Sequence, residues 1–555
     1  MEVKTTKKAA LMGVAGSNNA FSLSLYNLKA YAYNDPLIRK NWNISVIQHP
    51  LIGHPDQFEK KTQQHTEMLV EEKPDVVGFS CYMWNVKYFR LLAEKLKVAI
   101  PTVKIVFGGP EMSRDYVTEG NYDDFPMDFC ISGEGEITFW ELLKNITTGS
   151  PELHAINGLA HRESIEHPFL CNEKRETLQS LLDIPSPFLV GVVDDEVLFR
   201  KMVEANIETQ RGCNLRCSYC IYHKDMKRIS YSEVDRVIDE VRYVINKGVK
   251  RIRFVDANFS SNMDYAKTVM KGLIKNQFET RLMFELIPGF IDEELAALFA
   301  EFNKLYPWNE ITLGIGVQTI NLEVLKRMRR AIRMSKFEKT FELLQKYNLY
   351  AKIDLIIGLP GEDIVSIENT LEYMLEKLSG SQSHLLCCHI MRGLPGTELL
   401  DIAKEFEMQF TSEFEPHELF ESSILPRQDM LKCLRRTAVI FRLVNHSGWA
   451  NREFIYDRRS ESTNIRDTFV DARQRLDISN LGLVDFIIDG LLEHLDDSSD
   501  FKQERFPYAE NWWWSLSKVV VKDSWILEYL SNLTPSDNPL YNPSTVDLPL
   551  ESLAK

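Results

Sequence analysis

The sequence predicts an α/β protein in three parts: an N-terminal flavodoxin-like (Rossmann-type) doubly wound domain, a partial (β/α)6 TIM-like barrel, and a mostly helical C-terminal domain. Short apolar segments alternate with amphipathic, helix-length segments in two separate tracts, as in parallel sheets covered by helices. A proline-containing segment without periodicity separates these tracts, and the chain beyond the second is mainly helical in pattern. The predicted divisions are 1–150, a linker at 151–200, the barrel at 201–400 and the helical domain at 401–555.

The first tract contains five candidate strands. Amphipathic patterns between them, for example Gln57–Glu71 and Trp84–Val98, predict helices. Five buried parallel strands with helices on both faces fit a flavodoxin-like domain. The candidate strands are Ala9–Val14, Ile44–Gln48, Asp75–Ser80, Lys104–Phe107 and Asp128–Ser132.

The second tract contains six candidate strands, and each except the last is followed by a helix-length segment. Six βα units of this size predict a barrel or partial barrel, with its chemistry at the carboxyl ends of the strands. Beyond the barrel, Gln428–Leu443 and Gly482–His494 have helical patterns. The candidate strands are Val203–Thr209, Arg251–Asp256, Arg281–Leu286, Ile311–Gln318, Ala351–Ile357 and His384–Ile390.

Charge and composition exclude several classes of function. The 555 residues include 80 acidic and 65 basic side chains, which gives a net charge of −15. This charge argues against duplex nucleic acid or an anionic membrane as the main partner. No apolar run reaches the roughly 18–20 residues needed to span a bilayer, and the N-terminus lacks the pattern of a signal peptide. We therefore expect a cytoplasmic protein with neither a nucleic-acid nor a membrane partner.

The nine cysteines do not indicate a disulfide framework, because their number is odd and they are thinly spread. Three of them, Cys213, Cys217 and Cys220, follow the first barrel strand with the spacing Cys-x3-Cys-x2-Cys. Thiolates on one loop can converge on one metal centre. A structural zinc needs a fourth ligand nearby, for which His223 is the nearest candidate. A four-iron cluster held by three cysteines keeps one iron open. The simplest alternative is three incidental buried thiols.

This cysteine motif, with Tyr219 before its last cysteine and at the start of a six-unit βα tract, resembles that of the radical S-adenosylmethionine (SAM) enzymes. The resemblance covers about residues 200–400. It implies that Cys213, Cys217 and Cys220 hold a 4Fe–4S cluster, whose open iron binds the amino and carboxylate groups of SAM. One electron then cleaves the sulfonium to methionine and a 5′-deoxyadenosyl radical. Tyr219 then belongs to the cofactor site.

The end of the second barrel strand carries a further motif, Phe-Val-Asp256-Ala-Asn258. The family often has Gly-Gly-Glu here, in contact with the methionine amino group, and Phe-Val-Asp resembles the variant of cobalamin-dependent members. The resemblance assigns Asp256 and Asn258 to the SAM site, where Asp256 could accept a hydrogen bond from the ammonium. Its alternative role is a polar cap at the strand end.

Three later strands carry the remaining residues that the resemblance assigns to SAM. Glu285 and Gln318 lie where the family binds ribose or the methionine carboxylate. Gly358 and Pro360 belong to a Gly-Leu-Pro-Gly turn whose family role is a backbone contact near adenine, and which is otherwise a simple tight turn.

Glycines follow several strands of the first domain, at the edge where such folds bind ligands and where glycine lets backbone approach a large planar ligand. Lys73-Pro-Asp-Val-Val-Gly-Phe-Ser80, Gly108-Gly109-Pro110 and Gly133-Glu-Gly-Glu136 resemble the cobalamin-binding domain that precedes the radical domain in one large subgroup. This resemblance covers about residues 5–148. The residues it assigns to cobalamin are Ser17, Ser80, Gly108, Gly109, Gly133 and Gly135.

One cobalamin motif is absent, the Asp-x-His-x-x-Gly loop whose histidine ligates cobalt in many cobalamin proteins. His49 and His54 follow the second strand and do not fit this loop, so we predict surface or turn histidines. We therefore expect cobalamin to bind base-off without a histidine ligand. Methylthiotransferases pair similar domains but need three further N-terminal cysteines, whereas Cys81 and Cys130 have the apolar context of core residues.

The two resemblances together imply a cobalamin-dependent radical SAM enzyme with a 4Fe–4S cluster, SAM and cobalamin as cofactors. The expected reaction is C-methylation of an unactivated carbon, through the 5′-deoxyadenosyl radical and methylcobalamin. A radical rearrangement, cyclisation or ring contraction with the same cofactors is an alternative, and so is a non-catalytic iron–sulfur electron-transfer protein. The expected partners are a small-molecule or peptide substrate and a reductant such as flavodoxin or ferredoxin.

Overall fold

The structure is a computed structural model, and it describes eleven ranges of the chain. The predictions for Ser17, His54 and His223 lie outside them. The described ranges are 6–15, 21–50, 57–178, 180–193, 204–222, 228–330, 332–379, 384–411, 417–445, 459–494 and 523–534.

The first sheet has seven strands in the order β2-β1-β3-β4-β5-β6-β7. Its first five strands are parallel, and their order is that of flavodoxin-like folds, which confirms the prediction. The last two strands lie within residues 151–200, predicted as a linker, and pair antiparallel with the sheet. The strands are β1 Lys7–Ala15, β2 Trp42–Pro50, β3 Val76–Ser80, β4 Lys104–Gly108, β5 Phe129–Ile131, β6 Leu159–His161 and β7 Leu170–Cys171.

Helices cover both faces of this sheet, and each face has its own apolar core. One core contains the aromatic side chains Phe79, Phe89 and Phe107, and the other contains Trp42 and Phe139. Strand β3, which is apolar except for Ser80, is buried along its whole length, as expected of a parallel strand covered on both sides. The helices are α1 Leu23–Tyr33, α2 Pro36–Asn41, α3 Phe58–Glu72, α4 Val86–Ala99, α5 Arg114–Thr118 and α6 Glu136–Thr148.

The second sheet has six parallel strands whose order in space follows the chain. Among the described strands, the first and last are not paired with each other, so the sheet is a partial barrel, as predicted. A short antiparallel pair, β9 with β10, flanks the cysteine motif. The strands are β8 Glu204–Ile207, β9 Gln210–Arg211, β10 Ser230–Tyr231, β11 Arg251–Phe254, β12 Arg281–Leu286, β13 Glu310–Gln318, β14 Tyr350–Ile357 and β15 His384–Ile390.

Helices surround the barrel, and its outward-facing strand residues join their apolar faces in one large core. The inward-facing residues alternate with these; on β14, for example, Lys352 and Asp354 alternate with buried Ile353 and Leu355. The helices are α7 Val234–Asn246, α8 Met263–Lys275, α9 Glu293–Leu305, α10 Leu322–Arg327, α11 Met334–Lys346 and α12 Ile364–Ser379.

The described C-terminal part is mostly helical, as predicted, with one short antiparallel pair. Helix α14 packs against β15 and extends the barrel core. No helix in the described ranges is long and apolar enough to cross a membrane. The elements are α13 Leu399–Glu405, β16 Gln409–Phe410, β17 Leu419–Glu421, α14 Arg427–Asn445, α15 Arg459–Leu476, α16 Asn480–His494 and α17 Asp523–Asn532.

Candidate active site

The cysteine motif lies on a loop that follows β8 and β9 at the carboxyl end of the barrel sheet. Pairing of β9 with β10 fixes the start of this loop. Gly212 has a φ of +110°, and a Cβ built there would lie 2.8 Å from the carbonyl oxygen of Arg228. Glycine is therefore required at the turn into Cys213.

Two backbone hydrogen bonds fix the middle of the loop. The amide of Ser218 donates to the carbonyl of Met328 at 3.1 Å, and the amide of Leu399 donates to the carbonyl of Ser218 at 2.9 Å. Cys217 is 5% exposed, while Cys213 and Cys220 are half-buried. The loop is therefore held between the end of α10 and the start of α13.

Arg330 fills the space beside the loop and is only 6% exposed. Its Nη1 donates to Sγ of Cys217 at 3.5 Å, and its Nη2 donates to the carbonyl of Gly316 at 2.5 Å. Sequence reasoning missed Arg330, because it is 113 residues from Cys217 and belongs to no motif. The structure therefore adds a buried positive charge to the predicted cluster site.

The three thiols fit a cluster better than a single ion. In the described part of the chain, no three His, Cys, Asp or Glu side chains are arranged to hold one metal ion. A four-iron cluster spreads three thiolates over three irons, so they need not converge on one point. Burial raises the pKa of Cys220 to about 11 and also raises the pKa of Cys213, so bound iron would supply the charge that deprotonates them.

Tyr219 lies partly buried on the same loop. Burial raises the pKa of its phenol, and the guanidinium of Arg330 and the sulfur of Cys217 lie beside it. The structure thus places Tyr219 next to two thiol-site residues, as the motif suggested. Its contact with a cofactor stays a prediction.

Asp256 is 1% exposed and holds the start of the cysteine loop. Its Oδ1 accepts hydrogen bonds from the amides of Thr209 and Gln210 at 2.8 and 2.9 Å, and its Oδ2 accepts one from Oγ1 of Thr209 at 2.6 Å. Burial raises the pKa of Asp256 to about 7. The cap that we named as its alternative role is therefore present, and the ammonium contact stays a prediction.

Asn258 is completely buried near the first cysteine. Its Nδ2 donates to Oδ1 of Asn214 at 3.4 Å, and its carbonyl accepts from Nε2 of Gln210. Its Oδ1 is buried and has no hydrogen-bond partner among the residues that the structure describes. The structure brings Asn258 to the cysteine loop, and its SAM contact stays a prediction.

Two glycines of β13 make room for two predicted residues inside the barrel. A Cβ at Gly314 would lie 2.1 Å from Oε2 of Glu285, and a Cβ at Gly316 would lie 2.7 Å from Nε2 of Gln318. Gln318 sits at a register shift of the strand with a φ of +69°, which is strained for a residue other than glycine. Both side chains therefore lie where a ligand in the barrel could reach them.

The turn that contains Gly358 and Pro360 packs against other parts of the protein. Gly358 has a φ of +85°, and a Cβ there would lie 2.4 Å from Cδ2 of Leu419. Nη1 of Arg327 donates to the carbonyl of Pro360 at 3.1 Å. The tight-turn role is therefore evident, and the adenine contact stays a prediction.

The predicted cobalamin residues that the structure describes lie at the carboxyl edge of the first sheet. Gly109 has a φ of +104°, and a Cβ there would lie 2.6 Å from the carbonyl oxygen of Cys81, whereas a Cβ at Gly133 would meet nothing within 4 Å. At this edge the backbone of Gly109 is therefore in close contact with that of Cys81, whereas the position of Gly133 is open and a ligand could approach it. The four residues are Ser80, Gly108, Gly109 and Gly133, and Gly135 follows as the N-cap of α6.

The prediction of a surface or turn position for His49 was wrong. His49 is 8% exposed, and its ring packs against His65, Tyr88 and Phe89. Burial lowers the pKa of His65 to about 4, so this neighbour is uncharged at neutral pH. A polar residue at the end of a strand is usually exposed, and the sequence alone does not show that α3 and α4 cover His49.

Cys81 and Cys130 are core residues, as predicted. Both are 0% exposed. Burial raises the pKa of Cys130 to about 12 and raises the pKa of Cys81 well above its usual value. Such thiols remain protonated and inert.

Arg211 connects the cysteine loop to the first domain, a contact that no sequence pattern predicted. Its guanidinium pairs with Glu134 at 2.9 Å, Glu136 at 3.1 Å and Glu208 at 2.8 Å. Burial by itself would lower the pKa of Arg211, but these three carboxylates raise it above its usual value. Because Glu134 and Glu136 flank Gly135, the two predicted cofactor sites adjoin each other.

A second buried pair joins the first domain to the C-terminal part. Nε2 of His417 lies 3.1 Å from Oε1 of Glu111, and their exposed fractions are 9% and 4%. Glu111 follows Gly109 by two residues, so this pair fixes the other predicted cobalamin segment. Two buried contacts, at Arg211 and at His417, therefore join the predicted cobalamin edge to the rest of the protein.

Family models match both domains. The model described as B12 binding domain matches residues 52–143, and the model described as Radical SAM superfamily matches residues 207–374. The matched regions contain the glycine edge and the cysteine loop respectively. The radical SAM domain implies a 4Fe–4S cluster and SAM, which the three thiols and the buried Arg330 fit. The B12 binding domain implies cobalamin, which the glycines at the carboxyl edge of the first sheet fit.

Similar curated proteins include two methyltransferases. The cobalamin-dependent radical SAM methyltransferase TokK of Streptomyces tokunonensis is 28% identical over 57% of this chain and 46% of its own length. The 2-(S-pantetheinyl)-carbapenam-3-carboxylate methyltransferase of Streptantibioticus cattleyicolor is 24% identical over 63% of this chain and 50% of its own length. The chain thus spans about half the length of these relatives.

Solved structures share the fold. The cobalamin-dependent S-adenosylmethionine radical enzyme OxsB, with aqua-cobalamin and SAM bound, covers 97% of this chain and 85% of its own at a TM-score of 0.65 and 14% identity. The radical SAM methyltransferase TsrM of Kitasatospora setae covers 74% of this chain and 80% of its own at a TM-score of 0.56 and 16% identity. The chain therefore contains a B12 binding domain followed by a radical SAM domain, in the fold of these structures. These two domains imply a 4Fe–4S cluster, SAM and cobalamin as cofactors.

Proposed function

We propose that this protein is a cobalamin-dependent radical SAM methyltransferase that methylates an unactivated carbon. The observation that carries the proposal is the contact between the two cofactor regions: Arg211, two residues before Cys213, is bound by Glu134 and Glu136 of the first domain. Methyl transfer through cobalamin requires the cobalt site and the cluster site to share one substrate. Two of the similar proteins are methyltransferases, which supports the same class.

In this proposal the cofactors supply the reactive groups, and the protein holds and orients them. When bound, the cluster would supply an electron, one SAM molecule would supply the adenosyl radical, and a second SAM molecule would supply the methyl group that cobalamin carries to the substrate. Cys213, Cys217 and Cys220 hold the cluster, and Arg330 donates a hydrogen bond to the sulfur of Cys217. Asp256 fixes the backbone from which the loop starts.

The remaining predicted residues form the binding surfaces for the other two cofactors. Glu285 and Gln318 face the barrel interior in the space that the β13 glycines leave, which supports their assignment to SAM. The residues that we assign to SAM are Tyr219, Asp256, Asn258, Glu285, Gln318, Gly358 and Pro360. The residues that we assign to cobalamin are Ser17, Ser80, Gly108, Gly109, Gly133 and Gly135.

The proposal includes two partners. One is a small-molecule or peptide substrate, which would enter at the shared edge of the two sheets. The other is a one-electron reductant such as flavodoxin or ferredoxin. Such a protein could approach the cysteine loop, because Cys213 and Cys220 are only half-buried.

A test of the proposed function needs no substrate. Anaerobically reconstituted protein with reduced cobalamin is incubated with SAM carrying a ¹³C-labelled methyl group and with dithionite. We expect labelled methylcobalamin, S-adenosylhomocysteine and 5′-deoxyadenosine. 5′-Deoxyadenosine without the other two products would contradict methyl transfer and support a radical rearrangement. Intact SAM on a fully loaded cluster would contradict both and support a non-catalytic iron–sulfur protein.

A further inference from the structure

The chain carries a basic surface beside the cysteine loop, although its net charge is −15. The segment from Leu322 to Arg333 contains five arginine or lysine side chains and one carboxylate, that of Glu323. All of these cations except Arg330 are exposed, and so is Arg216 on the cysteine loop itself. We call these exposed cations the basic face, and its members are Arg216, Lys326, Arg327, Arg329 and Arg333.

The basic face adjoins the loop that carries the three cysteines. Just beyond the end of α10, the amide of Ser218 donates to the carbonyl of Met328 at 3.1 Å. Lys326 and Arg329 lie within two residues of Met328, and Arg216 lies two residues before Ser218. Their charges are therefore next to the loop, two of whose cysteines are only half-buried.

The contacts of the basic face leave it with a net positive charge. Arg329 pairs with Glu398 at 2.8 Å, but these side chains are 60% and 53% exposed, and an exposed pair of this kind is weak. Arg327 donates to the carbonyl of Pro360 and stacks on the ring of Phe406 at 5.1 Å, contacts that bring no negative charge. The face can therefore attract an acidic partner.

Two exposed apolar side chains lie beside the basic face. Leu322 is 41% exposed and Val365 is 56% exposed, and their chain neighbours Asn321 and Ser366 are joined by a hydrogen bond at 2.8 Å. Leu322 and Lys326 are four residues apart on α10, so they share one side of this helix. Apolar side chains bordered by charges are typical of contact sites between proteins, whereas interfaces with nucleic acids are more polar.

We propose that the basic face, together with Leu322 and Val365, is the docking site for an acidic one-electron carrier protein. This docking site rests on the proposed function, since a carrier is needed only where a cluster must be reduced. Complementary charges speed association and select the partner. In the transfer, flavodoxin in its anionic hydroquinone form loses one electron and becomes the neutral semiquinone. The oxidised cluster gains that electron, and no proton or other group moves.

Flavodoxin is the acidic probe for a binding test on the reconstituted full-length protein at low salt. The variant combines Lys326→Glu with Arg329→Glu, and it leaves every residue assigned to the cofactors in place. We expect the Kd for oxidised flavodoxin, measured by isothermal titration calorimetry, to rise at least about tenfold. Added salt should weaken binding to the wild type more than binding to the variant.

The matched control combines Lys339→Glu with Lys346→Glu, which changes the net charge by the same amount. Both lysines are exposed and form ion pairs on α11, with Glu342 and Glu293 respectively. Helix α11 leads from β13 to β14, so Lys346 at its end lies towards the amino edge of the barrel sheet, away from the cysteine loop. The control should bind flavodoxin like the wild type, and an equal loss of affinity would overturn the docking site.

A small reductant separates docking from the reaction itself. The variant should cleave SAM at least about tenfold more slowly than the wild type with flavodoxin hydroquinone at low concentration, but equally fast with reduced methyl viologen. Wild-type affinity for flavodoxin in the variant, or rates that fall equally with both reductants, would overturn the docking site. Binding of transfer RNA but not of flavodoxin, lost in the variant, would overturn it as well. No SAM cleavage by the wild type with methyl viologen would contradict the proposed function, and the flavodoxin affinities would still decide the docking site.

Discussion

Arg211 and Glu134 form an ion pair between the two cofactor domains, with Nη1 of Arg211 2.9 Å from Oε1 of Glu134. Arg211 precedes the first cluster cysteine by two residues, and Glu134 lies between two glycines of the predicted cobalamin edge. Both side chains are almost buried, with exposed fractions of 12% and 11%. The position of the cysteine loop is therefore tied to that of the cobalamin edge.

Arg211→Met should destabilise the protein strongly and weaken cobalamin binding. The change leaves Glu134, Glu136 and Glu208 without their shared cation, and breaking a buried pair in this way costs about 3–5 kcal/mol. Glu134→Gln should cost less, because Arg211 keeps its pairs with Glu136 and Glu208. Oε1 of Glu134 accepts from Arg211 and Oε2 accepts from the amide of Leu178, so the amide oxygen of glutamine can keep only one of these two bonds. Urea unfolding gives the free energy, and equilibrium dialysis gives cobalamin affinity.

The control for this prediction is an exposed ion pair of the first domain. Lys95 pairs with Glu59 at 2.7 Å, but Glu59 is 71% exposed, so Lys95→Gln should change the free energy by less than about 1 kcal/mol. Equal effects of Arg211→Met and Lys95→Gln would show that the contact between the domains contributes little.

The cysteine loop should hold the whole iron complement. Anaerobically reconstituted wild type should be brown and bind about four irons. Combined replacement of Cys213, Cys217 and Cys220 by Ala should abolish iron binding and SAM cleavage. Cys171→Ser is the control, because this partly exposed thiol lies on β7 of the first sheet. Iron retained in the triple variant would show that the ligands lie elsewhere.

Asp256 should make stability fall as the pH rises towards neutrality. Its pKa is about 7 in the folded protein against 3.8 as the ordinary value, so the folded state binds the extra proton between these values. The stabilisation is complete below about pH 4 and is lost as the pH rises through about 7. In Asp256→Asn the Oδ1 bonds can remain, and Nδ2 can donate to Oγ1 of Thr209. The difference in unfolding free energy between wild type and Asp256→Asn should therefore change by more than about 1 kcal/mol between pH 5 and 8.

The same position separates the cap role from a SAM contact. Asp256→Ala leaves the buried amides of Thr209 and Gln210 without their acceptor, at about 1–3 kcal/mol for each group. If Asp256 also binds the ammonium, SAM affinity falls about 10- to 100-fold while the cluster stays intact. Titration of SAM into reconstituted wild type and variant measures this, and unchanged affinity with lowered stability leaves only the cap.

Cobalamin should bind base-off and without a histidine from the protein. Because His49 is packed against Tyr88 and Phe89, reaching cobalt would require opening this core. Electron paramagnetic resonance of the cob(II)alamin form should show no nitrogen splitting. The spectrum of His49→Ala is the comparison: splitting in the wild type that disappears in the variant would identify His49 as the ligand.

The fold was predictable because its strands are buried and parallel. The central strands of the first sheet are nearly continuous apolar segments, so the predictions Asp75–Ser80 and Lys104–Phe107 match β3 and β4 to within one residue at each end. The strands β6 and β7 were missed, because they have only three and two residues and lie in a segment with prolines. No local pattern distinguishes them from a linker.

The site was predictable where one loop carries the chemistry and not where distant residues meet. Cys213, Cys217 and Cys220 form a spacing that is visible in the sequence. Arg330 lies 113 positions from Cys217, and Glu134 lies 77 positions from Arg211. An isolated arginine or glutamate gives no periodic signal. Only the fold shows that they meet at the cysteine loop.

Gly109→Ala should damage the cobalamin edge more than the same change at Gly133. Both glycines have a positive φ, +104° and +81°, so both variants acquire backbone strain of about 1–2 kcal/mol. At Gly109 the new Cβ would also lie 2.6 Å from the carbonyl oxygen of Cys81 and 2.8 Å from its nitrogen, and backbone cannot move aside as a flexible side chain can. At Gly133 the Cβ meets nothing within 4 Å.

Both variants acquire similar backbone strain, but only Gly109→Ala brings a Cβ against the backbone of Cys81. The difference between the two variants therefore measures the effect of this close contact. Gly109→Ala should lower the free energy of unfolding by at least about 1 kcal/mol more than Gly133→Ala, since something in the core must shift. Cobalamin affinity adds a second distinction. If the open position above Gly133 admits the corrin, Gly133→Ala should weaken cobalamin binding although its stability changes less. Gly133→Ala with wild-type cobalamin affinity would remove Gly133 from the binding edge, and equal stabilities of the two variants would contradict the close contact at Cys81.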